Sequence, residues 1–546
     1  MRSMLRTLGV IAFAVGSMTA CADNLQVKNL NNPDLGRVYA VPSGVEGVVS
    51  TLYRSYHQST AGAGEGLSVQ SKVMALESYG QVANFGMALR SGIPRVFLNN
   101  QRGNQVSAGN NANWSSLSRL MRTSATVAQA VDAYLARGAT LGNAARDQRA
   151  RSFAYFVNGI AMGTLAFGYD SAAIASPQTP TSAIPEFVTP AAAAAQALNM
   201  LDSAQAIISA VGVAGNAEAS IPATWMGGTL LTTADYVRLI RSYKAKIRAG
   251  VARTAAERGA VDWAAVVADA AAGITADHTI ALNGATSWTS GTDASTFQTS
   301  TSFHQISLFY NGMADTSGNY QTFIALPLQT RVGMDFVIRT PDTRWPAGAT
   351  RAAQFANSGL PLPAGRYISS RNPGEDQPDN SNPWGTSQYD HRRWFAIAAA
   401  NGVGTYTFIS RQEIAMLQAE GLIRSGPQSN PTAAMNLVNA SRTANGLLAF
   451  TDPAGLAPGA NGCVPKLPNG TCGSLLEAMK YEKRMETQLT GYMQWFLDSR
   501  GWNDLIQGTS LHWAVPFQEM DTRNKPFYNM PSVGTITASG VGTYGF

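Results

Sequence analysis

The apolar residues of the stretch Ser474–Trp502 recur every three or four positions, the spacing of one buried helix face; they are Leu475, Met479, Met485, Leu489, Met493 and Phe496. A single helix over Leu475–Asp498 would be about 36 Å long, enough to cross a whole helical domain. Glu482, Arg484 and Glu486 lie among the apolar positions, and buried charges need partners. We therefore predict one long buried helix whose charged residues form an ion-pair network between helices.

Helical spacing also recurs upstream, in segments that fall into antiparallel pairs. The predicted helices are Ser43–His57, Leu67–Ala88, Ser115–Arg137, Ala145–Phe167, Pro190–Val211, Thr232–Glu257, Asp262–Ile274, Glu413–Arg424 and Pro431–Thr443. Alanines such as Ala264 and Ala268 allow close helix contact. Repeated helix pairs with small residues at their crossings predict a mainly α fold, a tetratricopeptide-like solenoid, although the strict consensus of that repeat is absent.

Two segments interrupt the helical pattern. Ser91–Trp114 holds six asparagines and several glycines and reads as a long loop. The 276–407 segment is rich in Gly, Pro, Ser, Thr and Asn, and its short alternating runs Phe323–Leu328 and Met334–Ile338 are candidate strands. Long loops in a compact domain are usually functional or disordered. We therefore divide the chain into a helical-repeat region (43–275), a loop-rich ligand-binding insertion (276–407) and a C-terminal region (408–546), packed as one unit.

The first residues have the pattern of an export signal. Arg2 and Arg6 precede the apolar run Leu8–Val15, and small residues lead to Cys21. This pattern predicts a signal peptide over 1–20 that is too short to span a membrane. Cys21 directly after Ala20 resembles a lipobox, which implies a lipidated cysteine followed by a tether over 21–42. The alternative is an ordinary signal peptide with an incidental cysteine.

Cys463 and Cys472 are the two remaining cysteines, and they bracket a turn-rich loop. In an oxidising compartment they should form a disulfide, and closing so short a loop stabilises by roughly 2–3 kcal/mol. Their spacing and the number of ligands exclude a zinc or CxxC redox site. We predict a structural bridge that braces the loop before the C-terminal helix.

Composition and motifs point away from several kinds of chemistry. Hydrophobic residues make up 45% of the chain and charged residues 14%, which argues against disorder, and the net charge of +6 is spread without a basic run that would bind nucleic acid. HExxH, GxSxG and phosphate-loop patterns do not occur, and we expect no cofactor. Glu375, Asp376, Asp379 and Asn380 fit a solvated turn better than a calcium loop.

The C-terminal residues resemble a known signature. Glu482, Arg484, Glu486 and Gly491, followed by Asp498, Arg500, Gly501 and Trp502, are similar to the signature of SusD/RagB-type outer-membrane lipoproteins. The Asn31–Asp34 segment and Ala419-Glu420 add to this resemblance. The chain departs from the family after Gly491, where Tyr492 stands in place of the usual basic residue.

The resemblance implies a protein that is anchored by lipid in the outer membrane and exposed at the cell surface. Such proteins bind oligosaccharides, or in some relatives peptides, without chemistry, and deliver them to a SusC-like TonB-dependent transporter. The helical body would face the transporter and the loops would carry the ligand site. Two rival functions stay open: a periplasmic helical-repeat scaffold that binds proteins, and a lipid-anchored glycosidase that uses paired carboxylates.

A sugar carrier needs flat aromatic rings for stacking and amides or guanidinium groups for hydrogen bonds. Both loop regions contain them, and the candidate ligand residues are Asn99, Asn100, Arg102, Trp288, Trp345, Trp384, Tyr389, Arg392 and Trp394. We expect the two regions to share one surface, with Trp384 and Trp288 as platforms. The competing interpretation is that each ring packs beneath its own loop.

Overall fold

A computed structural model describes residues 35–64, 66–80, 83, 86–92, 95–104, 106–289, 291, 306–331, 336–371, 387–459, 463–467 and 469–530. The predicted lipidation site Cys21, the candidate platform Trp384 and the acidic stretch Glu375–Asn380 lie outside these residues. As the sequence predicts, the described part of the chain is mainly helical and carries a few short strands.

The helices, numbered in chain order, are α1 (Leu35–Val38), α2 (Pro42–Gln58), α3 (Leu67–Met74), α4 (Met87–Ser91), α5 (Val106–Ala136), α6 (Ala144–Gly168), α7 (Pro190–Ile208), α8 (Thr233–Gly250), α9 (Ala255–Gly259), α10 (Trp263–Ala271), α11 (Leu308–Ala314), α12 (Asn319–Ile324), α13 (Leu328–Arg331), α14 (Arg351–Ala356), α15 (Phe395–Ala399), α16 (Arg411–Ile423), α17 (Pro431–Ala444), α18 (Leu475–Thr487), α19 (Gln494–Trp502) and α20 (Phe517–Thr522). Among the described residues, none of these helices has the length and apolar character needed to cross a membrane.

The strands are β1 (Ala172–Ala173), β2 (Phe187–Val188), β3 (His278–Leu282), β4 (Ile368–Ser370), β5 (Tyr389–His391) and β6 (Gly404–Ile409). They form three antiparallel pairs, β1 with β2, β3 with β6, and β4 with β5. The β3–β6 pair joins the beginning of the predicted insertion to its end, so the chain leaves and re-enters the helical body at neighbouring positions.

Consecutive helices pack on one another to form the body. Helices α5, α6, α7 and α8 contact in sequence, and α10, α16, α17 and α18 form a second packed group that meets α8. Close approach explains two glycines of α6: a Cβ at Gly159 would lie 2.9 Å from the Ala197 carbonyl oxygen, and one at Gly163 would lie 2.5 Å from Ile247. A larger residue at either position would push α6 away from its neighbours.

Several predicted boundaries are wrong because contacts distant in sequence override local periodicity. The helix predicted over Leu67–Ala88 ends at Met74, the predicted Ser91–Trp114 loop gives way to α5 at Val106, and Thr232–Glu257 divides into α8 and α9. The candidate strand Phe323–Leu328 falls instead on the end of α12 and the start of α13. There the Asp315 carboxylate accepts the backbone N–H groups of Ser317 and Tyr320, a local arrangement that initiates a helix.

The predicted long C-terminal helix is two helices, α18 and α19, separated by Gln488–Met493. Leu489, Gly491 and Met493 have positive φ angles of 52°, 59° and 60°, which an α-helix does not accommodate. The break is fixed by distant groups, since the Leu489 N–H donates to the Glu77 carboxylate (2.6 Å) and the Leu489 carbonyl accepts from the Trp394 indole (2.7 Å). Tertiary hydrogen bonds therefore replace helical ones at this point.

The charged residues of α18 are buried in ion pairs, as predicted. Arg344 from the insertion contacts Glu482 (3.1 Å), Glu486 (2.9 Å) and Asp342 (2.8 Å). Arg484 pairs separately with Asp504 (2.6 Å). The network links the insertion, α18 and the chain after α19, which accounts for charges on an otherwise apolar helix face.

Arg500 ties α19 to the ends of two other helices. Its guanidinium donates to the carbonyl oxygens of Phe167 near the end of α6 (2.9 Å), Gly250 at the end of α8 (2.8 Å) and Leu511 (2.7 Å). The last carbonyls of a helix lack partners within it, so a buried cation satisfies them and complements the helix dipole. As the sequence predicts, Cys463 and Cys472 form a disulfide ahead of α18, with a Cα–Cα distance of 5.3 Å.

Candidate ligand-binding surface

The first loop is fastened at Asn100 to the chain that follows α19. The Asn100 amide donates to the carbonyl oxygens of Val515 (2.9 Å) and Tyr528 (3.0 Å), and its oxygen accepts from the Phe517 N–H (3.1 Å). Asn100 is only 2% exposed. The sequence-based expectation that its amide faces a ligand is therefore corrected: the amide satisfies buried backbone groups of the C-terminal tail.

The neighbouring residues of this loop remain accessible. Asn99 is half-buried and its carboxamide oxygen accepts the Gln101 N–H (2.9 Å). The Arg102 side chain is 62% exposed, pairs with Asp521 (2.5 Å) and lies over the Phe527 ring, 5.0 Å from its centroid. The Asp521 pair holds the guanidinium in place while most of its surface stays in solvent.

Phe97 is the aromatic residue of this loop that sequence reasoning missed. Its side chain is 45% exposed, beside Val96 at 46%. A phenylalanine in a polar, asparagine-rich loop is a signal in the sequence, but the sequence-based candidates for stacking were mainly tryptophans. We call the exposed residues Val96, Phe97, Gln101 and Arg102 and the half-buried Asn99, together with Asp521 and Phe527, the loop–tail surface.

A cleft of about 160 Å³ lies beside the loop–tail surface, between α5, the chain around Ala173–Pro185 and α20. Trp114 is 2% exposed in its wall, and its indole N–H donates to Glu519 (3.2 Å). Glu519 also accepts from Arg523 (2.6 Å), whose guanidinium lies 4.4 Å from the Phe187 ring. We call this feature the Trp114 cleft; its full lining is Trp114, Ser118, Met121, Arg122, Ala173, Ala175, Ala183, Ile184, Pro185, Glu519 and Arg523.

The candidate aromatic residues of the insertion that the structure describes are all in the core. Trp288, Trp345, Tyr389 and Trp394 are each 8% exposed or less. The Trp345 and Tyr389 rings meet edge to face with centroids 5.4 Å apart, and Trp288 packs against Tyr53 and His57. The expectation that these rings are exposed is therefore wrong, because Trp345 and Tyr389 pack on each other inside the insertion and Trp288 packs against the helical body.

The Tyr389 hydroxyl and the neighbouring arginines have partners inside the protein. The Tyr389 hydroxyl donates to Gln354 (2.6 Å), and burial raises the pKa of that hydroxyl above its usual range. The candidate Arg392 pairs with the buried Asp390 (3.1 Å), and the adjacent Arg393 donates to the carbonyls of Met485 and Glu486 at the end of α18. These groups hold the insertion against α18 and the break that follows it.

The two predicted ligand regions thus pack against different parts of the molecule. The first loop packs on the tail around Val515–Asn529, whereas the 389–394 segment packs on α18 and Leu489. Within the described residues, no group of three or more His, Cys, Asp and Glu side chains is arranged to hold a metal ion.

No family model matches this sequence, and no curated protein matches it significantly. Solved structures of similar fold cover most of this chain. They include a SusD homolog from Bacteroides thetaiotaomicron (13% identity, TM-score 0.56, covering 91% of this chain and 99% of that one) and a SusD-like carbohydrate binding protein from Bacteroides fragilis (12%, 0.54, covering 93% and 95%). A third is surface glycan-binding protein A from Bacteroides uniformis (11%, 0.52, covering 88% and 98%). The chain has a SusD-like fold.

Proposed function

We propose that this chain is a lipid-anchored outer-membrane protein that binds oligosaccharide at the loop–tail surface and delivers it to a SusC-like TonB-dependent transporter. The observation that carries the proposal is the fold, which the chain shares over most of its length with structures named for carbohydrate and glycan binding. Peptide is the alternative ligand that the sequence resemblance leaves open. Binding and release suffice for delivery, so the proposal assigns no catalytic residue.

The chemistry of the loop–tail surface supports a sugar as ligand. The exposed ring of Phe97 offers an apolar face for sugar C–H groups, and Asn99, Gln101 and Arg102 offer hydrogen-bonding groups within the same short loop. Trp384, which lies outside the described residues, stays a proposed second platform. A carrier must release its cargo, so we expect a dissociation constant between micromolar and millimolar, or about −8 to −4 kcal/mol.

The binding test compares two exposed phenylalanines, Phe97 in the first loop and Phe355 in the insertion, and also removes the Trp384 ring. Phe97→Ala and Trp384→Ala should each abolish measurable binding in calorimetry with an oligosaccharide first identified on a glycan array. Phe355→Ala is the matched control, because Phe355 is 41% exposed on α14 of the insertion. Loss of binding in Phe355→Ala with retention in Phe97→Ala would contradict the proposed loop–tail surface.

The anchor is tested at Cys21. Acyl chains contribute about 0.8 kcal/mol per buried CH₂, so Cys21→Ser should yield a folded protein that no longer fractionates with membranes. Membrane retention of this variant in cells without the transporter would contradict lipid anchoring. Protease added to intact cells should digest the wild type, whereas a periplasmic scaffold would be protected.

A further inference from the structure

The outer wall of the Trp114 cleft is held in place by two arginines. Arg122 donates to the carbonyl oxygens of Pro180 (3.2 Å) and Ala183 (2.7 Å), and Arg523 donates to that of Pro185 (2.7 Å). Gln129 fastens the start of the same segment at Pro177 and Thr179. The cleft is therefore formed before any ligand arrives, which removes an ordering cost from binding.

The charges that line the cleft do not cancel. Glu519 and Arg523 pair with each other, whereas Arg122 contacts no acidic side chain among the described residues. A guanidinium has five N–H donors, and Arg122 directs two of them to the carbonyls of the wall. The cleft thus presents one guanidinium that has no ion-pair partner among the described residues.

The remaining lining combines a free hydroxyl with an apolar floor. Ser118 lines the cleft one helical turn before Arg122, and its hydroxyl makes no hydrogen bond within the described residues. Met121 and Ala175 are buried at the cleft, and Ile184 stands at its rim with 76% exposure. At about 160 Å³ the cleft is smaller than the roughly 300–1,000 Å³ of drug-sized sites, so it suits one ring rather than several.

We propose that the Trp114 cleft binds a single uronic acid residue of an acidic oligosaccharide, with its carboxylate paired to Arg122. A uronic acid matches the three properties of the cleft, since it has a carboxylate for the unpaired guanidinium, hydroxyls for Ser118 and Glu519, and C–H groups for Met121 and Ile184. This inference rests on the proposed glycan-binding function and names the class of glycan.

The position of the cleft permits one oligosaccharide to reach both features. Arg102 of the loop–tail surface pairs with Asp521, and Trp114 of the cleft bonds to Glu519, two residues earlier on α20. A helix of six residues is about 9 Å long, so the two features are separated by only a few sugar rings. A chain with its acidic residue in the cleft can continue over α20 to Arg102.

The test uses calorimetry with short oligogalacturonates and with the same oligosaccharides methyl-esterified, which removes the charge and keeps the ring. Wild-type protein should bind the acidic form about tenfold tighter or more, because a charged hydrogen-bonded pair is lost in the ester. Arg122→Gln should bring the acidic form down to the affinity of the ester. Ser118→Leu, which narrows the cleft and leaves Arg122 in place, should also remove the preference.

Arg119→Gln is the matched control, because Arg119 is exposed on the same helix and does not line the cleft. An equal loss in Arg119→Gln would show general attraction between charges and would overturn the proposal. Equal affinity for acid and ester, or competition by a peptide with a free C-terminal carboxylate, would also overturn it. Binding of neutral glycans alone would overturn this inference and leave the proposed function standing, whereas no binding to any glycan would overturn both.

Discussion

The first loop and the insertion are both rich in glycine and asparagine, yet Phe97 of the first loop is exposed whereas the described tryptophans of the insertion are buried. The first loop buries the polar Asn100 against the tail and leaves the Phe97 ring accessible. The insertion buries Trp288, Trp345 and Trp394 and leaves short loops outside. An aromatic residue in a polar sequence is therefore not necessarily exposed.

Hydrogen bonding of the indole group explains part of this difference. The Trp394 N–H donates to the Leu489 carbonyl, which the break between α18 and α19 frees from helical bonding. Tryptophan thus serves the insertion twice, by burying a large apolar ring and by satisfying an orphan carbonyl. Phenylalanine has no side-chain hydrogen-bond donor, so a phenylalanine at the surface leaves no polar group that needs a partner in the core.

The largest expected effect concerns the attachment of the insertion to the body. Arg344→Ala should destabilise the protein by about 3–5 kcal/mol, because it leaves Asp342, Glu482 and Glu486 buried without their cation. Denaturant unfolding measures this difference. Arg339→Ala, at an exposed position of the same segment, is the control and should change stability little; equal effects of the two variants would contradict the network's role.

An intermediate loss of stability is expected on acidification, where the start of the insertion packs on α2 through His57 and His278. Burial lowers the pKa of His57 and His278 from 6.5 to about 4, and these rings bond to the Thr289 carbonyl (3.0 Å) and the Tyr53 hydroxyl (2.9 Å). The unfolded chain takes up protons first, so their contribution is fully present above pH 6.5 and is lost as the pH falls to about 4. Each histidine should contribute about 3 kcal/mol to the free energy of unfolding at neutral pH, and this contribution is the amount lost on acidification.

Chemical denaturation across this pH range tests the effect, with His278→Gln as the comparison. The variant should lose less stability than the wild type between pH 6.5 and about 4. Parallel curves for the two proteins would show that His278 is not the group responsible.

The smallest expected effect lies in the first loop. Phe97→Ala should change the free energy of unfolding by about 0.5 kcal/mol or less, as is usual at exposed positions. Trp345→Ala should cost about 3–5 kcal/mol, because it opens a cavity in the core. If both variants melt far below the wild type, Phe97 is a packing residue and the contrast between the two regions fails.

The helices were the most predictable part of this chain, because amphipathic spacing and end signals agree. Asn143 and Thr189 accept N–H groups in the first turns of α6 and α7, and Pro190 occupies the first position of α7. The break at Leu489 was not predictable from local sequence, since its partners Glu77 and Trp394 are distant in the chain. The exposure of Arg102 agrees with its polar loop, while the burial of Asn100 depends on a tail more than four hundred residues away.

The antiparallel pairing of β3 with β6 brings the two ends of the insertion together, so the segment between them can vary without moving the helical body. Because these ends lie side by side, the length of the insertion does not alter the spacing of the helices that flank it. Closing a loop twice as long costs only about 0.6 kcal/mol more, so a longer insertion would lower the stability of the fold only slightly. A replacement segment would need a cation for Glu482 and Glu486, so this part of the chain can diversify while the helical body stays the same.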